Sequence, residues 1–458
     1  MQIKKPHPTR HFLAVLAIFA VTFSSPTQAQ VINEDFKIFA NDAEPGDKFG
    51  SSVAVNNGLV VVGAPVSTDN GFQSGSAYLF DVATGTQLFK LVPNDGMPED
   101  HFGVSVAIQN DIMAIGAMHH LGNGSGSGSV FIYNTKTGAL ITTLIPDDGA
   151  PDDAFGFAVD IDNGIVAVGS LLDDDSGFNS GSAYLFDAFT GAQIRKIVPS
   201  DGTDGDQFGS AIAVDNGIVA VGARFDNEAH SNAGSAYLFD ATTGIQIAKI
   251  FAEPNPGTPV RFGSAIAMDD GIVAVSTTND GDQGFNTGSV YLFDASDGAL
   301  RTKILPFDGM QGDFFGKSVS LDNGILAVGS RSDDHALITN VGSAYLFQAR
   351  SGSFISKVVP TDSVTELNLG LAVSFHSGYL AAGAINDSTQ GLSAGSAYIV
   401  DFNCQADFNG DLALDFFDIS LFLTAFNAGD QVADLTGDGA FDFFDISEFL
   451  TIFNAGCP

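Results

Sequence analysis

The chain has 458 residues, 54 acidic against 18 basic, a formal net charge of −36, 45% hydrophobic side chains, 53 glycines, two cysteines and no tryptophan. Its apolar fraction is that of a folded protein, which excludes global disorder. The acidic balance excludes a nucleic-acid backbone as the natural partner and a polybasic grip on an anionic membrane, since both require a basic surface.

Lys4, Lys5 and Arg10 precede the apolar run from Phe12 to Phe23, and Thr27-Gln28-Ala29 follows with small residues where a signal peptidase reads. Residues 1–29 therefore read as a secretory signal peptide, cleaved after Ala29. The run is short for the ~20 residues a span needs. No later stretch is long and apolar enough, so no transmembrane segment is expected. The sequence predicts a secreted protein, extracellular or at the cell surface, in which a disulfide is permitted.

Residues 30–402 are repeats. Phe-Gly recurs at Phe49, Phe102, Phe155, Phe208, Phe262 and Phe315, and as Leu369-Gly370. Gly-Ser-Ala-Tyr-Leu-Phe or a close variant begins at Gly75, Gly128, Gly181, Gly234, Gly288, Gly342 and Gly395. Both markers count seven copies spaced by 53 or 54 residues.

In the third copy the apolar alternation from Phe157 to Ile161 meets a turn at Asn163-Gly164, and Ile165 to Gly169 resumes it. Asn-Gly between β-branched runs is a hairpin signal, because both central residues take positive φ. A polar loop leads to a third strand from Gly181 to Phe186. A second turn, Asp187 to Gly191, leads to a fourth strand from Ile194 to Val198.

Four antiparallel strands repeated every ~50 residues predict an all-β, seven-bladed β-propeller. The seventh copy ends after its third strand at Val400, while residues 36–40 match a fourth-strand slot before the first Phe-Gly. Residues 35–40 are therefore expected to complete the last blade and close the ring.

The pattern resembles the FG-GAP repeat family, best known from the propeller of integrin α subunits. The resemblance covers residues 35 to about 402 and includes Gly63-Ala64-Pro65 of the first copy. It implies a propeller that binds a protein or glycan ligand. Integrin propellers carry calcium loops of the form D-x-D-x-D-G-x-x-D, and these repeats have none. Asp47, Asp100, Asp153, Asp206 and Asp313, each two residues before a Phe-Gly, are expected to cap backbone N–H groups. The acidic loops after the second strands, such as Leu172 to Ser176, Asn279 to Asp282 and Ser332 to Asp334, are expected on one face as soluble turns or a binding surface. His119-His120 is the strongest irregularity, read as exposed polar residues or as metal ligands. No nucleophile–base arrangement can be assembled by spacing, so no catalytic residue is assigned.

Residues 403–458 are a separate module with ten acidic residues and no Lys or Arg, duplicated with a period of 27 residues. Two loops place oxygen ligands at positions 1, 3, 5, 9 and 12 of a calcium loop, with a backbone carbonyl at position 7. The first set is Asp407, Asn409, Asp411, Asp415 and Asp418 with the carbonyl of Ala413. The second is Asp434, Thr436, Asp438, Asp442 and Asp445 with the carbonyl of Ala440. Two bound Ca2+ ions are expected, the second loop being the tighter because it keeps Gly439 where the first has Leu412. Each loop leads into one helix, Asp415 to Phe426 and Asp442 to Phe453.

This arrangement resembles a type I dockerin, a paired EF-hand module. The resemblance implies a bacterial source and docking to a protein partner, a cohesin-like domain or a sorting receptor. It places the partner-contacting positions at Phe416-Phe417 and Phe443-Phe444; the rival reading makes one phenylalanine of each pair core. Cys404 and Cys457 bracket the module, and a disulfide clasp between them, rather than free thiols, would add ~4 kcal/mol.

The sequence thus predicts a secreted, calcium-binding, non-catalytic binding or adhesion protein docked by its tail. The alternatives are an extracellular propeller enzyme acting on polysaccharide and a self-associating matrix protein.

Overall fold

The computed structural model describes residues 31–32, 34–229, 231–252, 260–335, 337–437 and 439–456. The signal peptide, His230, Asp438 and Cys457 lie outside the described residues.

The repeats fold as seven four-stranded antiparallel blades. In blade 3 the strands are Phe155–Asp162, Ile165–Ser170, Ser182–Asp187 and Gln193–Ile197, paired in chain order from the inside outward. The hairpin turn has Asn163 at φ 48° and Gly164 at φ 79°, as the Asn-Gly signal requires. The first strand carries an irregularity between Phe155 and Ala158, and the third between Leu185 and Phe186. Such bulges strengthen the twist a blade needs.

The two sequence markers meet in space. Phe155 is fully buried and packs edge-on against Tyr184 and Phe186, with ring centroids 5.5 and 5.6 Å away. Burial of such a ring contributes roughly 2–3 kcal/mol, and the edge-to-face geometry about 1 kcal/mol more. The same contact holds at Phe49, Phe208, Phe262 and Phe315. Gly181, at φ 84°, bridges the Phe208 backbone of the next blade, where a Cβ would overlap the Phe208 carbonyl. That close approach between blades explains why glycine opens the second marker each time.

The ring closes as the sequence anticipates. Phe36–Ile38 pairs antiparallel with the third strand of blade 7, Lys37 standing opposite Tyr398. Gly395 of blade 7 bridges Phe49 of blade 1, repeating the contact between all other neighbours. One feature was not legible: Val31–Ile32 pairs parallel with Lys357 and Val358, giving blade 6 a fifth strand. Two residues are too few to carry a strand pattern.

The innermost strands surround a central channel, and every blade contributes to its lining. Strand direction sets two faces. The Phe-Gly turns and the loops between second and third strands share one face; the Asn-Gly-type hairpins share the other.

The tail forms two helices, α1 (Phe416–Ala428) and α2 (Phe443–Ala455), joined through a short 3-10 turn at Gln431–Ala433. Both start on a capping box, Asp415 with Asp418 and Asp442 with Asp445. Phe422 and Phe449, 27 positions apart, stack at 4.1 Å with planes 4° apart, and Ala406 and Ala433 complete the small core. No described helix is long and apolar enough to cross a membrane.

Candidate functional site

Three parts of the molecule gather polar side chains: the blades' outer strands, one channel mouth and the tail loops.

In six blades a lysine of the outermost strand reaches loop carboxylates, and in five of them, blades 3 to 7, one of these is buried. Lys249 of blade 4 lies 2.5 Å from Asp201 and 2.8 Å from Asp226, and also pairs with Glu228. Tyr237 donates to Asp226 at 3.0 Å, and the lysine ammonium sits 4.9 Å from that ring's centroid. Lys37, Lys90, Lys196, Lys303 and Lys357 repeat the motif. The loop carboxylates Asp173, Asp280 and Asp333, expected as soluble turns or binding residues, are buried anchors for these lysines. Sequence reasoning missed this network, although the lysines recur with the repeat period.

Blades 1 and 2 depart from this. In blade 1 Ser67 stands where the buried carboxylate would be, and Lys90 pairs with the more exposed Asp42 and Asp69. Blade 2 lacks the lysine as well. His120 takes the place of the buried carboxylate and Thr143 that of the lysine. His120 is only 7% exposed, its Nδ1 is 3.0 Å from Ser129 Oγ, and its Nε2 lies 3.8 Å from Asp95. It is thus buried, contrary to the expectation of an exposed pair, because it fills the slot of a buried Asp. His119 is exposed, its ring 5.1 Å from that of His101. The two adjacent histidines do not act as one cluster.

The Asp residues before the Phe-Gly turns cap backbone as expected. Asp47, Asp100, Asp153, Asp206 and Asp313 each accept from the N–H three residues earlier, at 2.6–2.7 Å. Burial pushes the Asp153 and Asp313 carboxyls up to about 6.

At the hairpin face of the channel, the last residue of each innermost strand is polar: Asn56, Gln109, Asp162, Asp215, Asp269, Asp322 and His376. Several accept from a backbone N–H of the next blade's turn. Asn56 accepts from Asn110, Gln109 from Asn163, Asp162 from Asn216 and Asp322 from Ser377, at 2.7–3.0 Å. His376 Nδ1 donates to the Asp322 carboxylate at 3.0 Å and Nε2 lies 3.4 Å from the Asn56 amide, which joins the last blade to the first. This belt stitches the ring at its mouth.

The tail's first loop, expected to hold calcium, folds around its own carboxylates. Asp407 accepts from the N–H groups of Gly410 and Leu412 at 2.8 Å each. Asp411 accepts from Ala413 at 2.9 Å. Asp418, fully buried, accepts from Phe408 at 2.9 Å and Asp415 at 2.8 Å. Leu412 takes the left-handed conformation, φ 60°, at the position where glycine is preferred. In the second loop Asp434 accepts from Gly437 and Gly439 at 2.8 Å each, and Thr436 Oγ1 donates to Asp445 at 2.9 Å.

Asn409, Asp415 and Asp442 stand at their expected places, with Asp415 and Asp442 serving as helix caps. Among the described residues no three acidic, histidine or cysteine side chains are gathered as a formed metal cluster. The carboxylates are turned to backbone N–H groups instead. The donor chemistry nonetheless fits calcium: all ligands are oxygens. Burial, then the charges of Asp418 and Asp411, push the Asp407 carboxyl up, a repulsion that a cation would relieve.

Phe416 and Phe443 are each 72% exposed, Phe417 and Phe444 each 65%. None of the four is core, so the rival reading of one buried phenylalanine per pair is overturned; Phe422 and Phe449 take that role. The first loop also touches the propeller. Leu412 packs on the cluster containing Phe375 and Phe402, and Gln348 of blade 6 donates to the carbonyl of Asp411. A cavity of about 270 Å³ separates this loop from the channel mouth at Asp322. Cys404 borders the tail's core.

A ring-closed, seven-bladed propeller of Phe-Gly repeats defines the class. The family model described as the FG-GAP repeat matches residues 32–80, 86–133, 140–186, 192–239, 245–293 and 299–347, more than half of the chain. The chain belongs to the FG-GAP repeat family. Each matched segment runs from the outer strand of one blade through the third strand of the next. The first three strands of blade 7, which has Leu369 for the phenylalanine, lie beyond these segments and are supplied by the structure. No curated protein matches the chain.

Proposed function

We propose that this is a secreted binding or adhesion protein: its propeller presents a ligand surface and its dockerin-like tail docks it, in a calcium-dependent manner, to a protein partner. FG-GAP propellers commonly serve as binding scaffolds. The observation that carries the docking reading is the exposure of Phe416, Phe417, Phe443 and Phe444, directly after two loops of calcium-loop design. Exposed aromatic pairs are costly in water and are the residue type that dominates interface energetics. Their equivalence under the 27-residue duplication offers a partner two like faces. Two Ca2+ ions would hold the loops that orient these helices. The fully buried carboxylates Asp418 and Asp445 link each loop to the helix that follows. The disulfide between Cys404 and Cys457 belongs to the same proposal, as a clasp across the module.

The test is capture by the full-length mature protein from extracellular and envelope fractions, in calcium and in chelator. Retention of one defined protein in calcium, lost in chelator and in a variant with all four phenylalanines changed to serine, supports docking. Concentration-dependent sedimentation of the protein alone, with no partner captured, would replace docking by self-association.

A further inference from the structure

The tail and the acidic belt leave the other channel mouth unexplained. In a chain with 18 basic against 54 acidic residues, most described lysines and arginines pair with carboxylates. Six do not: Lys48 bonds to Asn386 and Arg195 to the Thr242 carbonyl, and Arg224, Arg261, Lys317 and Arg331 form a group of four that no ion pair joins to an acid among the described residues. All four sit on the Phe-Gly face, across the three consecutive blades 4 to 6. Lys317 follows a Phe-Gly turn and lines the mouth. Arg261 precedes one, with a left-handed φ of 55°. Arg224 and Arg331 occupy the position held by Pro65 in the first copy.

Their partners are neutral or aromatic. Arg224 donates twice to Gln207 Oε1, at 2.9 and 2.8 Å. Arg224 and Arg261 both lie over the Phe225 ring, at 5.1 and 5.4 Å, and Arg331 lies over Phe314 at 4.8 Å. Arg331 Nε is buried with no hydrogen-bond partner. Burial, then the charges of Arg331 and Arg224, push the Lys317 ammonium down to about 8. Desolvated like charges held together by the fold are a standing cost, which a bound anion relieves. Guanidinium forks suit the paired oxygens of carboxylate and sulfate. The mouth opens broadly over a space of about 230 Å³. Phe178 and Phe285, 68% and 61% exposed, stand on the loops of blades 3 and 5 that share this face.

We propose that the Phe-Gly mouth of the channel, through Arg224, Arg261, Lys317 and Arg331, binds the acid groups of an anionic polysaccharide, with Phe178 and Phe285 offering faces for its sugar rings. Anion spacing along a sugar acid chain suits cations spread over three blades. The proposal rests on the reading of the propeller as a binding scaffold and is independent of the tail.

The test is titration calorimetry of the full-length protein with a galacturonic acid oligomer, its neutral galactose counterpart, inorganic sulfate and a poly-glutamate peptide. The uronate oligomer is expected to bind, the galactose oligomer not to, and sulfate to compete. Lys317→Met and Arg331→Gln should each weaken the uronate about tenfold or more, with unfolding temperatures within a degree or two of the parent. Sulfate should also slow acetylation of Lys317 near pH 8, a readout a merely structural lysine would not give. Uronate binding unchanged in both variants, or no uronate binding at all, overturns the proposal. Equal affinity for the peptide and the uronate overturns the polysaccharide class. Binding of a neutral glycan at another face would sink the anion site while leaving the scaffold reading intact.

Discussion

Replacing Lys249 by methionine tests the logic of the blade network. The lysine faces Asp201 at 2.5 Å and Asp226 at 2.8 Å, together with Glu228, and Asp226 is buried. Methionine keeps the apolar stem and removes the charge. Breaking a buried pair from one side costs about 3–5 kcal/mol, because the other charge stays buried. Asp226 would keep bonds from Ser235 at 2.6 Å, Tyr237 at 3.0 Å and the Glu228 N–H at 2.8 Å. The loss should therefore sit at the low end, ~3 kcal/mol, or about 4 °C in unfolding temperature for a domain of this size. Adding Asp226→Asn removes the orphaned charge and should restore half of the loss or more.

The pH dependence has a sign. Burial pushes the Asp226 carboxyl up, but the bonds from Lys249, Ser235 and Glu228 outweigh it and hold the group below the usual carboxylate range. A depressed carboxylate contributes stability above its unfolded value, near 4, and loses it as pH falls through the folded value. The gap between parent and Lys249→Met should thus narrow toward acid. Differential scanning calorimetry at several pH values reads both effects. A fall of less than about 1 °C at neutral pH, or no recovery in the double variant, would refute the reasoning. Blade 2, with Thr143 and His120 in these places, is the natural comparison. Thr143→Lys there should bring no gain, since no buried carboxylate replaces His120.

Asp269→Asn should stabilise the propeller above pH 6 and do nothing below pH 4. Burial, then the charges of Asp322 and Asp215, push the Asp269 carboxyl up to about 6, so its ionisation opposes folding as pH rises. With water in the channel screening the effect, ~1 kcal/mol is expected by denaturant melts. Deleting residues 31–38 removes the outer strand of blade 7 and should convert a monodisperse protein into aggregates on size exclusion, because the open edge is apolar and unpaired. A monodisperse deletion product would contradict ring closure by this strand. Leu412→Gly relieves ~1 kcal/mol of left-handed strain but removes the side chain seated on Phe375 and Phe402. It should leave the calcium binding proposed for the first loop intact and loosen the tail from the propeller, seen as a larger radius of gyration in solution scattering. An unchanged radius would mean Leu412 does not hold the two together.

The architecture was legible because each copy repeats its own signals. Asn163-Gly164 announces a hairpin by backbone sterics, and Phe155 with Tyr184 announces the core by recurrence. The closing strand was legible as Phe36 to Ala40 because an outer-strand pattern stood before the first copy. The polar network was not. Asp173 and Asp175 look alike in sequence, yet one is buried against Lys196 and the other exposed. Only the fold brings a loop carboxylate to an outer-strand lysine two strands away. Likewise Arg224, Arg261, Lys317 and Arg331 are scattered over more than a hundred positions and meet only because the ring gathers one face of each blade. In the tail, the duplication revealed the loops and helices. Whether Phe416 or Phe422 entered the core depended on helix phase, which the sequence pattern left open because phenylalanine occupies both.

Calcium titration of the chelator-stripped full-length protein by calorimetry bears most directly on the proposed docking tail. Two equivalents should bind, Asp407→Ala removing one and Asp434→Ala the other, with hydrogen exchange in α1 and α2 slowing on loading. Absence of binding heat together with unchanged exchange in both helices would contradict it.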